Sequence, residues 1–282
     1  FAPGPATAAA GGQPSETTTL RRDVSTDGRN ATVAFTDDWA EDAARRDFRL
    51  NALYADAEGQ VYDPTGQGVD DARAGRVAFV GDPATRIRED YLRILRFFRF
   101  HAWYGRGEPD PAGLGACREL AQGMTRLSAE RISGELMKLL AAPEPRPAVD
   151  AMTAAGVLAH VLPEASLTPA FDAGAAQSPD PVVRLMLLLP PDAAVVRAAA
   201  ARLRLPNAVR DRLAFAAVAL PAVALWMSER EARAVLYRHG ARAVADALHR
   251  RWAEAPTRTA DARRLLGLTG GWTRPKLPVG GR

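Results

Sequence analysis

The chain has 282 residues, 47% hydrophobic, 25% charged and 7% aromatic, which is ordinary for a globular protein long enough to bury a sizeable core in one large domain or two to three small ones. Net charge is only +4 although the isoelectric point is near 9.6, because Lys138 and Lys276 are the only lysines and arginine carries the rest; arginine's planar fork suits phosphates and base edges, and the codon bias of a GC-rich genome is the competing account of the excess. The lone Cys117 excludes a disulfide framework and a cysteine-based metal site and fits a reducing cytoplasm.

The opening "FAPGPATAAAGGQPS" has neither the charged start nor the apolar run of a signal peptide and reads as a ragged edge. Next, "ETTTLRRDV" (16 to 24) and "NATVAF" (30 to 35), rich in Thr and Val and joined through "TDGR", predict a β-hairpin. The stretch "TDDWAEDAARRDFRLNALYAD" starts with Thr36 or Asp37 as N-cap and acids in its first turn, and predicts a helix carrying Trp39, Ala43, Phe48 and Leu50. "GQVYDP" and "GRVAFVG" read as short strands around a Gly- and Asp-rich connection, where Asp63, Asp70 and Asp71 suit turns and caps better than metal ligation.

From Asp82 onward the pattern is helical: 83 to 105, 111 to 122, 128 to 141, 145 to 155, then several more helices to about residue 268. The fold class is therefore mainly α, α+β at its start and all-α afterwards. Prolines at 143, 145 and 147, and again at 179 and 181, mark seams between helical layers. The longest apolar run, "LAFAAVALPAVALWM" (213 to 227), is interrupted by Pro221 and too short for a comfortable membrane span, so it is expected to form a buried helix pair, and no membrane partner is expected. The histidines at 101, 160, 239 and 249 lack the spacing of a zinc site or a catalytic triad and read as structural.

Chemistry concentrates in "EDYLRILRFFRF" (89 to 100). On a continuous helix, Asp90, Arg93, Arg96 and Arg99 drift by about 60° per step of three along one broad face. Among Tyr91, Leu92, Leu95, Phe97, Phe98 and Phe100, those arginines border packed surface and need anionic or acceptor partners. "RRDFRLNAL" (45 to 53) supplies a second cationic cluster with Asp47 and Asn51.

In order and spacing, "RRDFRLNAL", "DPTGQGVDDARAGRVAFVGDP", "EDYLRILRFFRF" and "LSAERISGELMKLL" resemble the motifs of class II tRNA nucleotidyltransferases, the CCA-adding enzymes, from about Gly12 to Glu164. The resemblance implies a partial α+β nucleotidyltransferase head, reduced to a β-hairpin remnant, over 1–82. A helical neck that selects nucleotide and binds RNA follows over 83–142, then a helical body and tail over 143–282. Asp90 and Arg93 would read the base, since cytosine and adenine both pair an exocyclic amino donor with a ring-nitrogen acceptor, matching a carboxylate and a guanidinium. Glu89 would brace Arg93, while Arg46, Asp47, Arg96 and Arg99 would hold triphosphate and sugar, with Asn51 nearby.

The implied reaction is attack of a tRNA 3′-hydroxyl on the α-phosphate of CTP or ATP, with pyrophosphate leaving and magnesium held by carboxylates. The family's "GGxVRD" loop and metal-binding "DxD" strand have no counterpart, and nothing before Glu16 is acidic. The expectation is an N-terminally truncated member, inactive alone, in which Glu16 and Asp23 are strand carboxylates read as surface groups, with metal binding, Glu16 foremost, as the weaker alternative. Two departures from the pattern are Arg49, where the family has threonine, and "GQG" at 66 to 68. A poly(A) polymerase shares the head and neck motifs, and a non-catalytic helical RNA-binding protein is the rival from another class. The arginines of "RAAAARLRLP", "REARAVLYRHGAR" and "HRRWAEAPTRTADARR" suit tracking of an RNA backbone or a solvated helix surface equally.

Overall fold

A computed structural model describes the backbone of residues 6–10, 13–17, 20–26 and 31–275, and the side chains of Leu20 and 36–275. The architecture is mainly α, with three two-stranded sheets among the described residues. Strand β1 (Ala6–Ala10) pairs antiparallel with β2 (Gln13–Thr17), a hairpin the opening segment did not suggest. The expected hairpin forms in part: "ETTTLRRDV" is not one strand, since Glu16 and Thr17 end β2, and β3 (Arg21–Thr26) pairs with β4 (Ala31–Phe35) from Arg21 opposite Phe35 to Thr26 opposite Ala31. A short ladder joins β5 (Tyr54–Ala55) to β6 (Val61–Tyr62).

Two compact units divide after Met124. In the first, α1 (Trp39–Ala44), α2 (Gly68–Ala74), α3 (Pro83–Glu89), α4 (Leu92–Tyr104) and α5 (Pro111–Leu120) follow the strands. The second holds α6 (Ala129–Leu140), α7 (Arg146–Ala154), α8 (Val157–Val161), α9 (Pro169–Gln177) and α10 (Pro181–Leu188). After these come α11 (Ala193–Arg202), α12 (Asn207–Ala219), α13 (Glu229–His239), α14 (Ala241–Glu254) and α15 (Thr259–Gly270). No helix among the described residues is long and apolar enough to cross a membrane.

Four expectations are corrected. The helix expected through "TDDWAEDAARRDFRLNALYAD" stops at Ala44, because Phe48 leaves it to pair with Phe79: Arg49 donates its N–H to Ala78 O at 2.9 Å and Val80 donates to Asp47 O at 3.0 Å. Beyond that bridge "GRVAFVG" forms no strand, and "GQG" leads into α2, where Gly68 is required by contact: a Cβ there would lie 2.6 Å from Arg49 O.

The helix expected over 83 to 105 is broken at Asp90, whose extended backbone (φ −153°, ψ 108°) separates α3 from α4. Asp90 Oδ1 accepts from Leu92 N at 3.1 Å, so the side chain competes with helix continuation and caps the next helix instead. The Tyr91 ring beside it lies against Gly123, where a Cβ would fall 1.8 Å from the ring.

The run 213 to 227 is not a buried helix pair. Pro221 ends the helical path in a 3-10 turn (Leu220–Ala222), and Phe215, Val218 and Trp226 are 58%, 45% and 75% exposed. Only its inner face, with Leu213, Ala216, Ala219, Leu220, Val223 and Leu225, packs into the core.

Packing in the first unit is aromatic. Phe48, Phe79, Phe97 and Phe98 are at most 3% exposed. Ring centroids lie 4.9 Å apart for Phe48–Phe79, 4.9 Å for Phe48–Phe100 and 5.6 Å for Phe79–Phe97. This cluster ties the "RRDF" segment to the inner face of α4 and leaves the other face to arginine. In the second unit a cation occupies the core: Arg184 on α10 is 2% exposed, and its guanidinium donates to the carbonyls of Leu140, Ala142, Pro143 and Ala175 at 2.6, 2.6, 3.4 and 2.8 Å.

Candidate functional site

Along α4 the residues at 92, 94, 95, 97, 98, 100 and 101 are buried and those at 93, 96 and 99 are half-buried. Arg93 and Arg96 are not part of a free cationic ladder, because two carboxylates from outside α4 hold them. Asp47 accepts from Arg93 Nε at 2.8 Å through Oδ1 and from Arg96 through Oδ2. Glu89, at the end of α3, accepts from both Arg93 Nη1 and Arg86 Nη1, the latter at 2.6 Å. Arg93 Nη1 also donates to Arg86 O at 2.6 Å.

Two of the three guanidinium nitrogens of Arg93 are thus occupied, and Nη2 has no partner among the described residues. The side chain is 12% exposed, as is that of Asp47. Burial alone would lower the Arg93 pKa, but hydrogen bonds and charge from Glu89 and Asp47 outweigh it and the pKa is raised. The group is a fixed, permanently charged donor with one N–H₂ left to offer.

The other expected site residues fall around this pair. Arg96 and Arg99 both approach the Phe100 ring, with guanidinium carbons 5.8 and 4.5 Å from its centroid. Arg96 Nη1 has no described partner. Asp90 sits at the break between α3 and α4, where its Oδ1 accepts from Leu92 N at 3.1 Å, and it does not share a helix face with Arg93. Asn51 turns inward, its Oδ1 accepting from Phe48 N at 3.2 Å and closing the 3-10 turn Arg49–Asn51. The carboxylate of Asp47, with an arginine on each oxygen, works as a strut between guanidiniums; a phosphate there would meet like charge.

Arg46 is set by a residue that the sequence reading passed over. Asp42 on α1 is fully buried and accepts from Arg45 Nε at 2.8 Å, Arg46 Nε at 2.9 Å and the Tyr54 hydroxyl at 2.7 Å. The signal was the i, i+3 and i, i+4 spacing of Asp42 to "RR". Arg86 was also passed over: its Nη2 donates to the carbonyls of Arg45 and Arg46 at 2.8 and 2.9 Å. Arg49 and Arg76 flank the fully buried Asp71, which gives that aspartate an ion-pairing role in place of a cap. A cleft of about 430 Å³ adjoins this region, lined by Ala40, Ala43, Arg49, Thr65, Gln67 and Phe79 and not by the α4 arginines.

Burial, then the hydrogen bond to Asp42, pushes the Tyr54 hydroxyl up to about 12 from 10.0. A raised acid pKa means the folded chain favours the neutral phenol. Its contribution to stability is full below pH 10.0 and lost as pH rises towards about 12. Phenolate absorbance should show one tyrosine titrating late in the wild type, and Tyr54→Phe should remove that late step.

Among the described residues no three His, Cys, Asp or Glu side chains come together to hold a metal ion. The side chains of Glu16 and Asp23 lie outside the described residues.

In the second unit most arginines are engaged internally. Arg212 bridges Asp180 and Asp246, and Arg250 donates to Met186 O and Leu189 O at 2.8 and 2.9 Å. Those whose guanidiniums meet no described partner, and so stay open to an RNA backbone, are Arg197, Arg210, Arg230, Arg238 and Arg263, all exposed.

A sequence model of the poly(A) polymerase head domain matches residues 3–78, and one described as a probable RNA and SrmB-binding site of polymerase A matches residues 108–167. The mitochondrial CCA tRNA nucleotidyltransferase 1 of Danio rerio is 50% identical over 130 residues, 44% of this chain and 29% of that protein. The CCA-adding enzyme of Streptococcus gordonii is 40% identical over 145 residues, 51% of this chain and 36% of that protein. In fold, the chain is similar to the crystal structure of Bacillus stearothermophilus CCA-adding enzyme in complex with CTP, with a TM-score of 0.71 and 24% identity over 94% of this chain and 66% of that one.

Proposed function

Since the chain belongs to the class II CCA-adding enzyme and poly(A) polymerase family, we propose that it is the nucleotide-selecting part of a tRNA nucleotidyltransferase that adds C and A to tRNA 3′ ends from CTP and ATP. The observation that carries this is the state of Arg93: Nε and Nη1 are locked by Asp47, Glu89 and Arg86 O, and Nη2 is left to donate. A guanidinium so held presents one N–H₂ in a fixed direction, which matches the ring-nitrogen acceptor of C or A and opposes the ring N–H of U or G. Asp90, at the start of α4, accepts from the exocyclic amino group. Arg96 and Arg99 neutralise phosphate charge further along α4, where Arg96 Nη1 is unengaged. Arg46, locked on Asp42, flanks the triphosphate, while Asp47 positions the arginines. Asn51 acts through the "RRDF" turn.

Joining the nucleotide to RNA requires an attacking 3′-hydroxyl and carboxylate-bound magnesium. The described residues do not form a carboxylate set fit to hold that ion, so selection, not the transfer step, is what these residues perform. The exposed arginines of the second unit contact the tRNA backbone by charge. The lone, buried thiol of Cys117 suits a reducing compartment, and the cytoplasm is the proposed one.

The test supplies tRNA ending before CCA, together with CTP and ATP, to an intact relative carrying this chain's residues 36–275. Addition of C, C and A supports the reading. Long A tracts with CTP ignored would make it a poly(A) polymerase, and salt-sensitive tRNA binding without nucleotide binding would make it a non-catalytic RNA-binding protein.

A further inference from the structure

Arg93 is oriented by two carboxylates that come from different elements, Asp47 from the segment after α1 and Glu89 from the end of α3. One side chain touches the supports of both. Arg86 on α3 sends Nη1 to Glu89 Oε2 at 2.6 Å, and Nη2 to Arg45 O at 2.8 Å and Arg46 O at 2.9 Å, the two carbonyls immediately before Asp47. Its own carbonyl accepts from Arg93 Nη1 at 2.6 Å.

This arrangement is costly. Arg86 Nε is buried with no hydrogen-bond partner among the described residues, and burial together with the neighbouring positive charge of Arg93 lowers the Arg86 pKa. A helix that needed only surface charge at this point would put the guanidinium in water. Glu89 offsets the repulsion by accepting from both arginines, which places it between them.

We infer that Arg86 is a positioning residue for nucleotide selection: it locks the "RRD" backbone and Glu89 to one another, and so fixes the direction in which Arg93 Nη2 points. It touches no nucleotide itself. The inference rests on the reading of Arg93 as the base-reading group. A planar fork serves two carbonyls and a carboxylate at once with set angles, whereas a lysine ammonium is a point charge on a flexible stem that holds one of them at a time.

The experiment measures binding of CTP, ATP, UTP and GTP, and of tripolyphosphate as a probe without a base, to the wild-type chain and to Arg86→Lys. The wild type should favour CTP over UTP by about tenfold or more. In folded Arg86→Lys that ratio should collapse towards one with tripolyphosphate affinity unchanged, a split that general loosening of the site would not produce. Should Arg86→Lys fail to fold by thermal melting, Arg86→Gln, which loses the fork and keeps a single amide donor, takes its place and should give the same collapse.

A folded Arg86→Lys, or in its place Arg86→Gln, that keeps the wild-type CTP:UTP ratio overturns the role of Arg86 and leaves the base-reading proposal standing. A wild type that binds CTP and UTP alike overturns both.

Discussion

Replacing Arg93 by alanine is expected to weaken CTP and ATP binding by about 10- to 100-fold, the worth of one well-placed donor to a base edge at about 1–3 kcal/mol, while leaving UTP and GTP affinity nearly unchanged. The asymmetry is the diagnostic part. Lost phosphate charge would weaken all four nucleotides together, whereas a donor that meets an acceptor in C and A but a ring N–H in U and G helps only the first two. The fold should tolerate the change, since Asp47 keeps Arg96 and Glu89 keeps Arg86 when Arg93 is removed. Calorimetry with each nucleotide reads the result, and unchanged CTP and ATP affinity in the variant would reject base reading by Arg93.

A second substitution should act on stability alone. Arg184→Leu is expected to cost the second unit about 3 kcal/mol or more, because buried carbonyls stripped of their donor cost about 1–3 kcal/mol each. The guanidinium serves four carbonyls, which belong to the end of α6, the loop after it and α9. Removing the orphaned Arg184 Nε recovers part of the loss, which is why the figure is below the sum of the four. Urea unfolding followed by hydrogen exchange in α10 measures it. A loss under about 1 kcal/mol, the scale of a single ordinary hydrogen bond, would show that water replaces the guanidinium.

Much of the fold is readable from the chain because its signals are local. The β4 strand, the helices α5, α6 and α7 near their expected bounds, and the three-residue spacing of arginines on α4 all follow from propensity and periodicity. What was not readable is non-local. Nothing in "RIREDYLRIL" breaks a helix, for it contains no Gly or Pro; the break at Asp90 arises from a carboxylate that finds Leu92 N a better partner than solvent. The helix expected through "RRDF" yields to Phe48, whose burial against Phe79 and Phe100 outweighs helical propensity in that stretch.

For the site the division is similar. Composition and motif order put Arg93, Arg96 and Arg99 together, and the geometry holds them beside one another on α4. The supports are another matter. Asp42 carries a local signal in its i, i+3 and i, i+4 spacing to Arg45 and Arg46, but Arg86 and the strut role of Asp47 depend on which atoms face each other across 40 to 49 residues of sequence, and no spacing rule carries that information.

The carbonyl-bound arginines bear on how the protein should respond to ionic strength. Arg184, Arg202, Arg250, Arg251 and Arg264 each donate to backbone oxygens, and those that turned to meet a phosphate would leave those oxygens unsatisfied. The charge that a polyanion can use is therefore smaller than the 37 cationic side chains suggest. Each phosphate neutralised releases roughly 0.7–0.9 counterion, so the logarithmic fall of tRNA affinity with salt should be shallow, set by the few guanidiniums that the fold leaves in water and not by the arginine content of the chain.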